Sequence, residues 1–475
     1  MQKTLFQNAT IVTLDPQLHT LEKGDMLIEG SVILDVAESI EAGDAEIVDA
    51  SNMLIMPGFV DTHRHVWESV IRGIGADWSL QTYLNRIYYG NYGSMRRPED
   101  DWAANYLGAL EALDAGVTTL LDWTMIESPD HTDQLIAGLK DAGIRAVFAF
   151  GTSGDAEYWD RDSDLSNMDE AKRVKKAYFQ SKDQLLTMGL AIRGPEFSSW
   201  KTSVFEIETA RELDALCSMH IAFGNWGAKD RSIEKLNQAG LLGPDLNMVH
   251  ANAMSEEEMK MLAAHGSSIS VTPEIEMMMG HGYPVTGLSL KNGVLTALGV
   301  DVVTSTGGDL FAQMKFALQA ERAKHNDELL REGIMPGPEL SISAEQILKA
   351  ATIDGARALK LDHKIGSLSP GKEADFIMVK TDSVNLLPFT DAAGAIVQCT
   401  HTGNVDSVYV AGKAVKRNGR LVDADLEKVR QKALEARDHI LFRSPEGAFY
   451  EKQFHDAPLQ IRPQIGYAKK RISDQ

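Results

Sequence analysis

The middle of the chain alternates short apolar runs with segments in which apolar residues recur at helical spacing. Such alternation is typical of strand–helix units that build a parallel sheet. We predict eight strands, at 54–60, 117–123, 145–150, 190–194, 218–223, 246–251, 268–273 and 296–301. Eight such units in a row predict an α/β fold, a closed (β/α)8 TIM-like barrel.

Several of the intervening helices carry residues that mark helix ends. The segment DWAANYLGALEALDAG places apolar residues at helical spacing and ends at Gly116. Two further helices begin with a capping box, in which a Ser is followed three positions later by Glu or Gln, at Ser255–Glu258 and Ser343–Gln346. These markers place helices between the predicted strands, as a barrel requires.

Both ends of the chain have a different sequence pattern from the middle, because β-rich runs are separated there by turns. LFQNATIVTL and DMLIEGSVILDVA near the start, and ADFIMVKT and VDSVYVAGKAVKRNG near the end, predict antiparallel strands. We therefore predict a small β-sandwich domain assembled from residues 1–57 and 363–422, with the barrel at 58–362. Residues 423–475 begin with a helical run and turn polar and irregular after Arg443, which predicts a C-terminal helix and tail.

Length, charge and cysteine content limit the kinds of protein that this chain can be. The chain has 475 residues, whereas a barrel alone takes roughly 250, so a second structural unit is expected. The formal net charge of −21 argues against nucleic acid as a partner, because phosphate binding needs a basic surface. No apolar stretch approaches the roughly 20 residues that span a membrane, and the opening MQKTLFQNATIV lacks the apolar core of a signal peptide. With only Cys217 and Cys399, we expect no disulfide framework and a cytoplasmic protein.

Metal-binding side chains occur at the ends of several predicted strands. His63 and His65 stand two residues apart at the end of the first strand, and residues so spaced point the same way. His220 lies in the fifth strand, His250 closes the sixth and Asp301 closes the eighth. Because active sites in such barrels lie at the carboxyl ends of the strands, these side chains are expected at one rim. Imidazoles and a carboxylate suit Zn²⁺, with Fe²⁺ or Mn²⁺ as alternatives.

Seven motifs together resemble the amidohydrolase superfamily, in its cytosine-deaminase-like and triazine-hydrolase-like branch. In chain order they are MPGFVDTHRH, RGIGADWSLQTYL, LDAGVTTLLDW, VHANAMSEEEMKMLAAHG, NGVLTALGVD, ATIDGARALKL and IGSLSPGKEADFIMVK. The resemblance covers about residues 1–422 and implies a barrel with a β-sandwich formed from both chain ends. It also implies that His63, His65, His220 and Asp301 are the metal ligands.

The sequence bears on the acidic ligand and on the number of metals. NGVLTALGVD matches the family's eighth strand without a gap when Asp301 is the ligand, whereas Asp309 lies in the loop beyond it. The fourth strand, LAIRGPEF, does not end in the lysine that the two-metal version of the superfamily carbamylates. We therefore expect one divalent metal. The resemblance further implies that Asp301 accepts a proton from water and that His250 stabilises developing charge.

The sequence departs from the resembled family near this site. The family's fifth-strand His is followed three residues later by a Glu that transfers protons, and here that position is Phe223. Glu196 stands where the fourth-strand motif usually has a substrate-contacting His, and the seventh-strand loop reads TPEIEMMMGHGYP. We consider Glu196, Glu274 and Glu276 as replacements for the missing acid, provided that burial raises their pKa. An exposed or ion-paired loop carboxylate is the alternative for each.

Aromatic and methionine side chains complete the expected substrate-binding set. Trp67, two residues beyond His65, is expected near the substrate entrance, where a flat side chain suits a ring-shaped ligand, although plain packing is an equal alternative. Met277, Met278 and Met279 either fill core or line a pliable apolar pocket. The expected substrate contacts are thus Trp67 and Phe223, with His250 and the three glutamates named above.

The predicted function is hydrolysis of a carbon–nitrogen bond in a small, cyclic molecule by water that the metal activates. Release of ammonia or an amine follows most directly from the resemblance. Phe223 leaves amide or lactam hydrolysis, dehalogenation, lactone hydrolysis, decarboxylation and hydration open as alternatives. An inactive scaffold is the remaining alternative, and the complete ligand set argues against it. The expected partner is a small molecule, and the sequence leaves a homo-oligomer open.

Overall fold

The computed structural model describes residues 2–443, apart from the side chain of Phe442. The predicted C-terminal tail, residues 444–475, lies outside the described residues. The described chain forms seventeen strands, β1 to β17 in order: Lys3–Ile11, Leu21–Glu29, Val32–Ala37, Glu46–Asp49, Met53–Pro57, Phe59–Arg64, Val117–Met125, Arg145–Thr152, Leu186–Ile192, Leu216–Ile221, Leu246–His250, Ser268–Val271, Leu295–Leu298, Phe376–Lys380, Val405–Val410, Lys413–Arg417 and Arg420–Leu421.

The same residues form fifteen α-helices, with short 3₁₀ and π turns between some of them. Helices α1 to α15 are Leu80–Ile87, Pro98–Asp114, Pro129–Ala142, Met168–Tyr178, Trp200–Glu212, Gly227–Asp230, Ser232–Gln238, Glu256–His265, Pro273–Met279, Thr286–Lys291, Leu310–Arg331, Ala344–Ala350, Ile353–Ala358, Ala392–Gly394 and Leu426–Arg443. The predicted capping boxes are present at the start of α8, by Ser255 and Glu258, and at the start of α12, by Ser343 and Gln346. Within residues 2–443, no helix is long and apolar enough to cross a membrane.

Strands β6 to β13 form an eight-stranded parallel barrel in chain order. The seam closes between β6 and the residues after β13. There the Asp301 amide donates to the His63 carbonyl at 2.9 Å, and the His65 amide donates to the Asp301 carbonyl at 2.9 Å. A barrel strand overlaps each of the eight predicted positions, the first of them only at its end, and the prediction of a (β/α)8 barrel is confirmed.

Closure of the seam depends on Gly299. A Cβ atom at this position would lie 2.7 Å from the carbonyl oxygen of His63 and 2.9 Å from its amide nitrogen, so any side chain would push the two strands apart. Glycine therefore permits the close backbone approach that brings Asp301 beside the end of β6.

The predicted strand at 54–60 is in fact two strands that belong to different sheets. Strand β5 pairs with β1 and β14 in a mixed sheet, whereas β6 opens the barrel. Gly58 separates them, and a Cβ atom there would lie 2.2 Å from the side chain of Thr118. The apolar run continues across this break because both strands are buried, so hydrophobicity alone does not mark it.

The mixed sheet joins both ends of the chain in the order β17-β16-β15-β14-β5-β1-β2-β3, with β4 paired to β1. One apolar cluster gathers buried side chains from both ends. In it, the ring of Phe376 stacks on Tyr409 at 4.4 Å and meets Phe6 edge-on at 5.2 Å between ring centroids. The prediction of a small sandwich domain formed from both chain ends is confirmed.

Buried ionic and apolar contacts join the mixed sheet and the last helix to the barrel. The Arg145 guanidinium at the start of β8 donates to the Asp375 carboxylate at 2.8 Å, with both side chains almost fully buried. Helix α15 packs on α2, where Val429 contacts Tyr106 and Leu110. The ion pair joins the mixed sheet to the start of β8, which is at the end of the barrel opposite the candidate site.

Candidate active site

Two histidines at the end of β6 form the first part of the site. His63 lies in β6 and His65 follows its last residue, and both side chains are buried. Their Nε2 atoms lie 3.3 and 3.4 Å from Oδ1 of Asp301. Arg64, between them, donates to the Glu111 carboxylate at 2.7 Å. Strand alternation thus aims both imidazoles at one point, while the intervening arginine anchors the strand end on its other side.

His220 in β10 brings a third imidazole to the same point. Its Nε2 atom lies 3.2 Å from Nε2 of His63. One donor atom from each of His63, His65, His220 and Asp301 lies within 4.8 Å of the others. Three imidazole nitrogens and one carboxylate oxygen are donors that zinc binds in proteins. The four residues that the resemblance implied as ligands therefore converge, and their donor set fits one divalent ion.

The protonation states of these four residues suit metal ligands. Burial lowers the pKa of His63, lowers that of His220 well below its usual value, and lowers that of His65 to about 3, so all three imidazoles are neutral at pH 7. Burial alone would raise the pKa of Asp301, but the contact with His63 and the other nearby imidazoles hold it well below its usual range. Neutral imidazoles and an ionised carboxylate are the forms that bind metals.

The backbone is strained where two strand ends reach the site. Asp301 has a φ of 70° and His250 a φ of 72°, in the left-handed region that favours glycine. Such conformations cost about 1–3 kcal/mol each and persist where the surrounding structure imposes them. The main-chain bonds between Asp301 and β6 impose the first, and the Ala251 amide, which donates to the Ile221 carbonyl at 3.1 Å, holds the turn after the second.

His250 is oriented by a buried hydroxyl and a buried carboxylate. Its Nδ1 atom lies 3.1 Å from Oγ1 of Thr272 and 3.4 Å from Oε1 of Glu276. A carboxylate only accepts, so this contact favours the tautomer with the proton on Nδ1. The other nitrogen, Nε2, lies 3.8 Å from Oδ2 of Asp301. The Nε2 atom of His250 therefore lies beside the four converging metal-binding residues, which we call the ligand cluster. Glu276 contacts the opposite side of the ring, at Nδ1.

A cavity of about 420 Å³, counting its opening to solvent, lies against the ligand cluster. Its walls are mostly apolar and aromatic, as is typical of small-molecule sites. No lysine or arginine of the described chain lines it. The lining residues are His65, Leu80, Tyr83, Leu84, Tyr88, Trp159, Phe197, His220, Phe223, His250, Ile275, Met279, His281, Asp301 and Val302.

Phe223 lies inside this cavity, at the position where the resembled family has a glutamate. Its ring centroid is 5.0 Å from that of His250 and 5.3 Å from that of His281. Glu196, the nearest replacement by sequence, does not line the cavity, because its carboxylate accepts from the Ala222 amide at 2.8 Å and from Trp226 Nε1 at 3.0 Å. Burial raises the pKa of Glu196 to about 7, but both of its oxygens are held by these donors.

The other expected substrate contacts also lie outside the cavity wall. Glu274 accepts from Gln313 Nε2 at 2.7 Å, and burial together with nearby Asp309 raises its pKa to about 7. Trp67 is fully buried, with the Arg96 guanidinium 4.1 Å from its ring centroid. The chain leaves the strand geometry after Arg64 and enters a 3₁₀ turn at Val66–Ile71, so the alternation that would have aimed Trp67 at the entrance no longer holds.

Two polar features of the cavity region had not been assigned a role from the sequence. His281, in the loop after α9, lines the cavity, and its position in the GHG segment was the only signal. Tyr83 in α1 also lines the cavity and donates from its hydroxyl to buried Glu68 at 2.6 Å. Burial raises the pKa of Glu68 to about 8. Its position three residues after His65 was the available signal for Glu68.

Comparisons of the sequence with known proteins agree on one family. The model of the amidohydrolase family matches residues 54–415. The 5-methylthioadenosine/S-adenosylhomocysteine deaminase of Pyrococcus abyssi is 25% identical over 88% of this chain and 95% of its own length. The 5'-deoxyadenosine deaminase of Methanosarcina acetivorans is 25% identical over 94% of this chain and 100% of its own.

Solved structures share the fold over nearly the whole described chain. An adenosine deaminase from Xanthomonas campestris, crystallised with zinc, has a TM-score of 0.81 at 23% identity and covers 93% of this chain and 99% of its own. An atrazine chlorohydrolase from Arthrobacter aurescens, complexed with zinc, has a TM-score of 0.80 at 21% identity, with coverages of 91% and 100%. The resemblance drawn from the seven motifs is confirmed by the family match, which spans most of the sequence. The chain belongs to the amidohydrolase family.

Proposed function

We propose that this chain is a metal-dependent hydrolase that uses water to release an amino group from a small, planar ring. The observation that carries the proposal is the convergence of four donors, His63, His65, His220 and Asp301, within 4.8 Å of one another at the barrel rim. One divalent ion fits this set, with zinc favoured by the donor chemistry and by the zinc in the two solved structures named above. Iron and manganese are the alternatives, because they also bind imidazole and carboxylate ligands.

The residues around the ligand cluster have separate roles in this reaction. When bound, the metal supplies Lewis acidity and lowers the pKa of water toward about 7. Asp301 can accept a proton from the attacking water, because its carboxylate is ionised and its Oδ2 atom lies 3.8 Å from Nε2 of His250, inside the site. His250, held through Nδ1, directs Nε2 at the charge that develops as water adds to the ring.

The cavity favours a compact, uncharged heterocycle as the substrate. Aromatic walls from Tyr88, Trp159, Phe197 and Phe223 offer flat surfaces against which a ring can pack. Cations that would bind a phosphate or carboxylate are missing from the described lining, so an anionic substrate is not favoured. The relatives named above are deaminases of adenosine-type compounds, which supports an amino-substituted ring as the substrate class.

Ammonia release from a panel of aminated heterocycles, including purines, pyrimidines and triazines, tests this proposal. Wild-type protein should release ammonia from at least one of them, and the Asp301→Asn variant should release none, since an amide cannot accept the proton near neutral pH. Wild-type protein that carries one zinc ion per chain and releases no ammonia across the panel would contradict the deaminase assignment. Protein that binds no divalent metal would contradict the site itself.

Hydrolytic dehalogenation is the second candidate function, and Phe223 favours it. A halide leaves without needing a proton, so a phenyl ring in place of the family's proton-transferring glutamate does not obstruct that reaction. Chloride release from ring-chlorinated members of the same panel, in the absence of ammonia release from the aminated members, would favour this function over deamination.

We also propose a cytoplasmic location for the enzyme. Cys217 and Cys399 are both free thiols in the structure, which is the state a reducing compartment maintains. Fractionation of cells that produce the tagged chain measures this directly, and recovery from an extracytoplasmic fraction would contradict it. Sedimentation of the purified protein would establish whether it forms the homo-oligomer that the sequence leaves open.

A further inference from the structure

His281 is a buried histidine in the cavity, and one of its ring nitrogens has no hydrogen-bond partner among the described residues. It is 4% exposed and lines the cavity beside the ligand cluster. Its Nδ1 atom is buried and has no hydrogen-bond partner within residues 2–443. An unsatisfied buried ring nitrogen costs free energy, and in a cavity it is available to a bound ligand or a reacting group.

The position of His281 is fixed both through its main chain and through its ring. The Gly224 amide donates to the His281 carbonyl at 2.6 Å, which ties the loop to the turn after β10. The ring stacks on Phe223, with centroids 5.3 Å apart and planes 22° apart, and lies 4.5 Å from the ring of His250. One nitrogen of His281 lies within 4.8 Å of a carboxylate oxygen of Asp301 and of a nitrogen of His250.

Release of an amine requires a proton at the leaving nitrogen, and the cavity has few groups that can supply one. Asp301 is the only carboxylate among the described lining residues. Phe223 occupies the place of the family glutamate and carries no proton to transfer. The Tyr83 hydroxyl donates to Glu68 at 2.6 Å, so its single proton is already engaged. Tyr88 also lines the cavity, but burial raises the pKa of its hydroxyl well above the usual value, which makes it a poor proton carrier near neutral pH. His281 is the remaining ionisable side chain of the lining that is not assigned to metal binding or charge stabilisation.

We propose that His281 carries the proton from Asp301 to the leaving nitrogen of the substrate. This inference rests on the proposed deaminase function. Water adds its oxygen to the ring carbon, and Asp301 takes one proton from it. His281 accepts that proton from Asp301 and gives it to the amino group, the carbon–nitrogen bond breaks with its electron pair going to nitrogen, and ammonia leaves. The second water hydrogen stays on the new hydroxyl group, and the electron pair that water addition moved onto the ring nitrogen re-forms the ring double bond. Asp301 and His281 return to their starting states.

The surroundings of His281 agree with a carrier that is neutral at rest. Its ring is buried between Phe223 and His250, and burial favours the uncharged imidazole. A neutral imidazole has a free lone pair with which to accept the proton. Once protonated in these buried surroundings, the ring gives its proton readily to an amine.

The experiment compares leaving groups that differ in their need for a proton. One heterocycle that wild-type protein turns over is prepared with an amino, a trifluoroethylamino or a chloro substituent at the reacting carbon, and kcat is measured for wild type and His281→Gln. Loss of a proton-transferring group costs about 10²- to 10⁴-fold, so ammonia release should fall by that factor. The loss should be smaller for the weakly basic amine and nearly absent for chloride.

Metal analysis and a matched control complete the test. His281→Gln should keep the wild-type zinc content, and His265→Gln, which changes an exposed histidine at the end of α8, should leave all three rates unchanged. If His281→Gln does not fold, His281→Asn repeats the comparison with a smaller amide.

Three results in the variant would overturn the proposal: equal losses for all three leaving groups, no loss for any of them, or loss of zinc, which would make His281 a ligand with His250 and Asp301. Wild-type protein that releases no ammonia would instead overturn the proposed function, and the role of His281 with it.

Discussion

The contact between Glu276 and His250 allows a sharp test of how the site is organised. Oε1 of Glu276 accepts from the Thr272 amide at 2.8 Å and lies 3.4 Å from Nδ1 of His250. The substitution Glu276→Gln keeps the size of the side chain and an oxygen for the Thr272 amide, but it removes the negative charge that faces the imidazole. The fold should therefore persist, while the hold on the orientation and tautomer of His250 weakens.

The size of the effect follows from the burial of this pair. The side chain of Glu276 is fully buried and that of His250 is 2% exposed, so water cannot replace the lost interaction. Removing a buried partner that orients a functional histidine costs about 10- to 100-fold in activity. This corresponds to about 1.4–2.7 kcal/mol in the activation barrier. The loss should appear in kcat with KM nearly unchanged, because Glu276 does not line the cavity.

Steady-state kinetics on the best substrate of the heterocycle panel would measure this change, alongside zinc content and the thermal unfolding midpoint. Glu257→Gln, on the exposed face of α8, is the matched control and should behave as wild type. A Glu276→Gln variant with wild-type kcat would refute the idea that this carboxylate orients His250. A variant that loses zinc would show that Glu276 supports the ligand cluster instead.

Four further outcomes are expected. His220→Ala should lose both the metal and turnover, and metal analysis of wild type should find about one divalent ion per chain. His250→Ala should keep the metal while kcat falls by about 10²- to 10³-fold, and loss of metal would instead identify a ligand. Gly299→Ala should lower the free energy of unfolding by about 1–3 kcal/mol, measured by denaturant titration, because the new methyl group meets the His63 carbonyl oxygen. Phe223→Glu should not raise turnover of the native substrate, since an unpaired buried carboxylate is costly, and a large gain would contradict this reasoning.

The architecture was predictable from the sequence because most barrel strands are short apolar runs and several of the helices between them carry their own end signals. Ser255 and Glu258, for example, mark the start of α8 without any knowledge of its surroundings. The break at Gly58 was not predictable in this way, because β5 and β6 are both buried and form one continuous apolar run. Strand partners, rather than local hydrophobicity, distinguish the two.

The residues of the candidate site also differ in whether the sequence alone could place them. His63 and His65 could be placed because strand alternation relates them directly, and the motif resemblance supplied His220 and Asp301. The surroundings of Glu196 depend on Ala222 and Trp226, which lie far along the chain, so its engagement could not be read from its own segment. Trp67 was placed by extending the alternation past Arg64, where the backbone changes to a 3₁₀ turn.

Contacts between distant segments also explain why the sequence alone indicated no role for His281. A histidine in a polar loop after α9 is unremarkable by pattern, and its place in the cavity depends on the main-chain bond from Gly224. The same holds for Glu68, whose partners Tyr83 and Thr304 come from α1 and from the loop after β13. Such groups become visible only when the barrel brings the ends of its strands to one rim.

The central position of β5 in the mixed sheet has a consequence for how the chain folds during synthesis. Its neighbour β14 begins at Phe376, more than 300 residues after β5 ends at Pro57. At a translation rate of about 5–20 residues per second, one edge of β5 waits roughly 15–60 seconds for its partner. Until then the nascent chain exposes an apolar strand edge, which is the kind of surface that pairs with other chains. Truncated chains that stop before β14 should therefore aggregate even though they contain every ligand of the proposed metal.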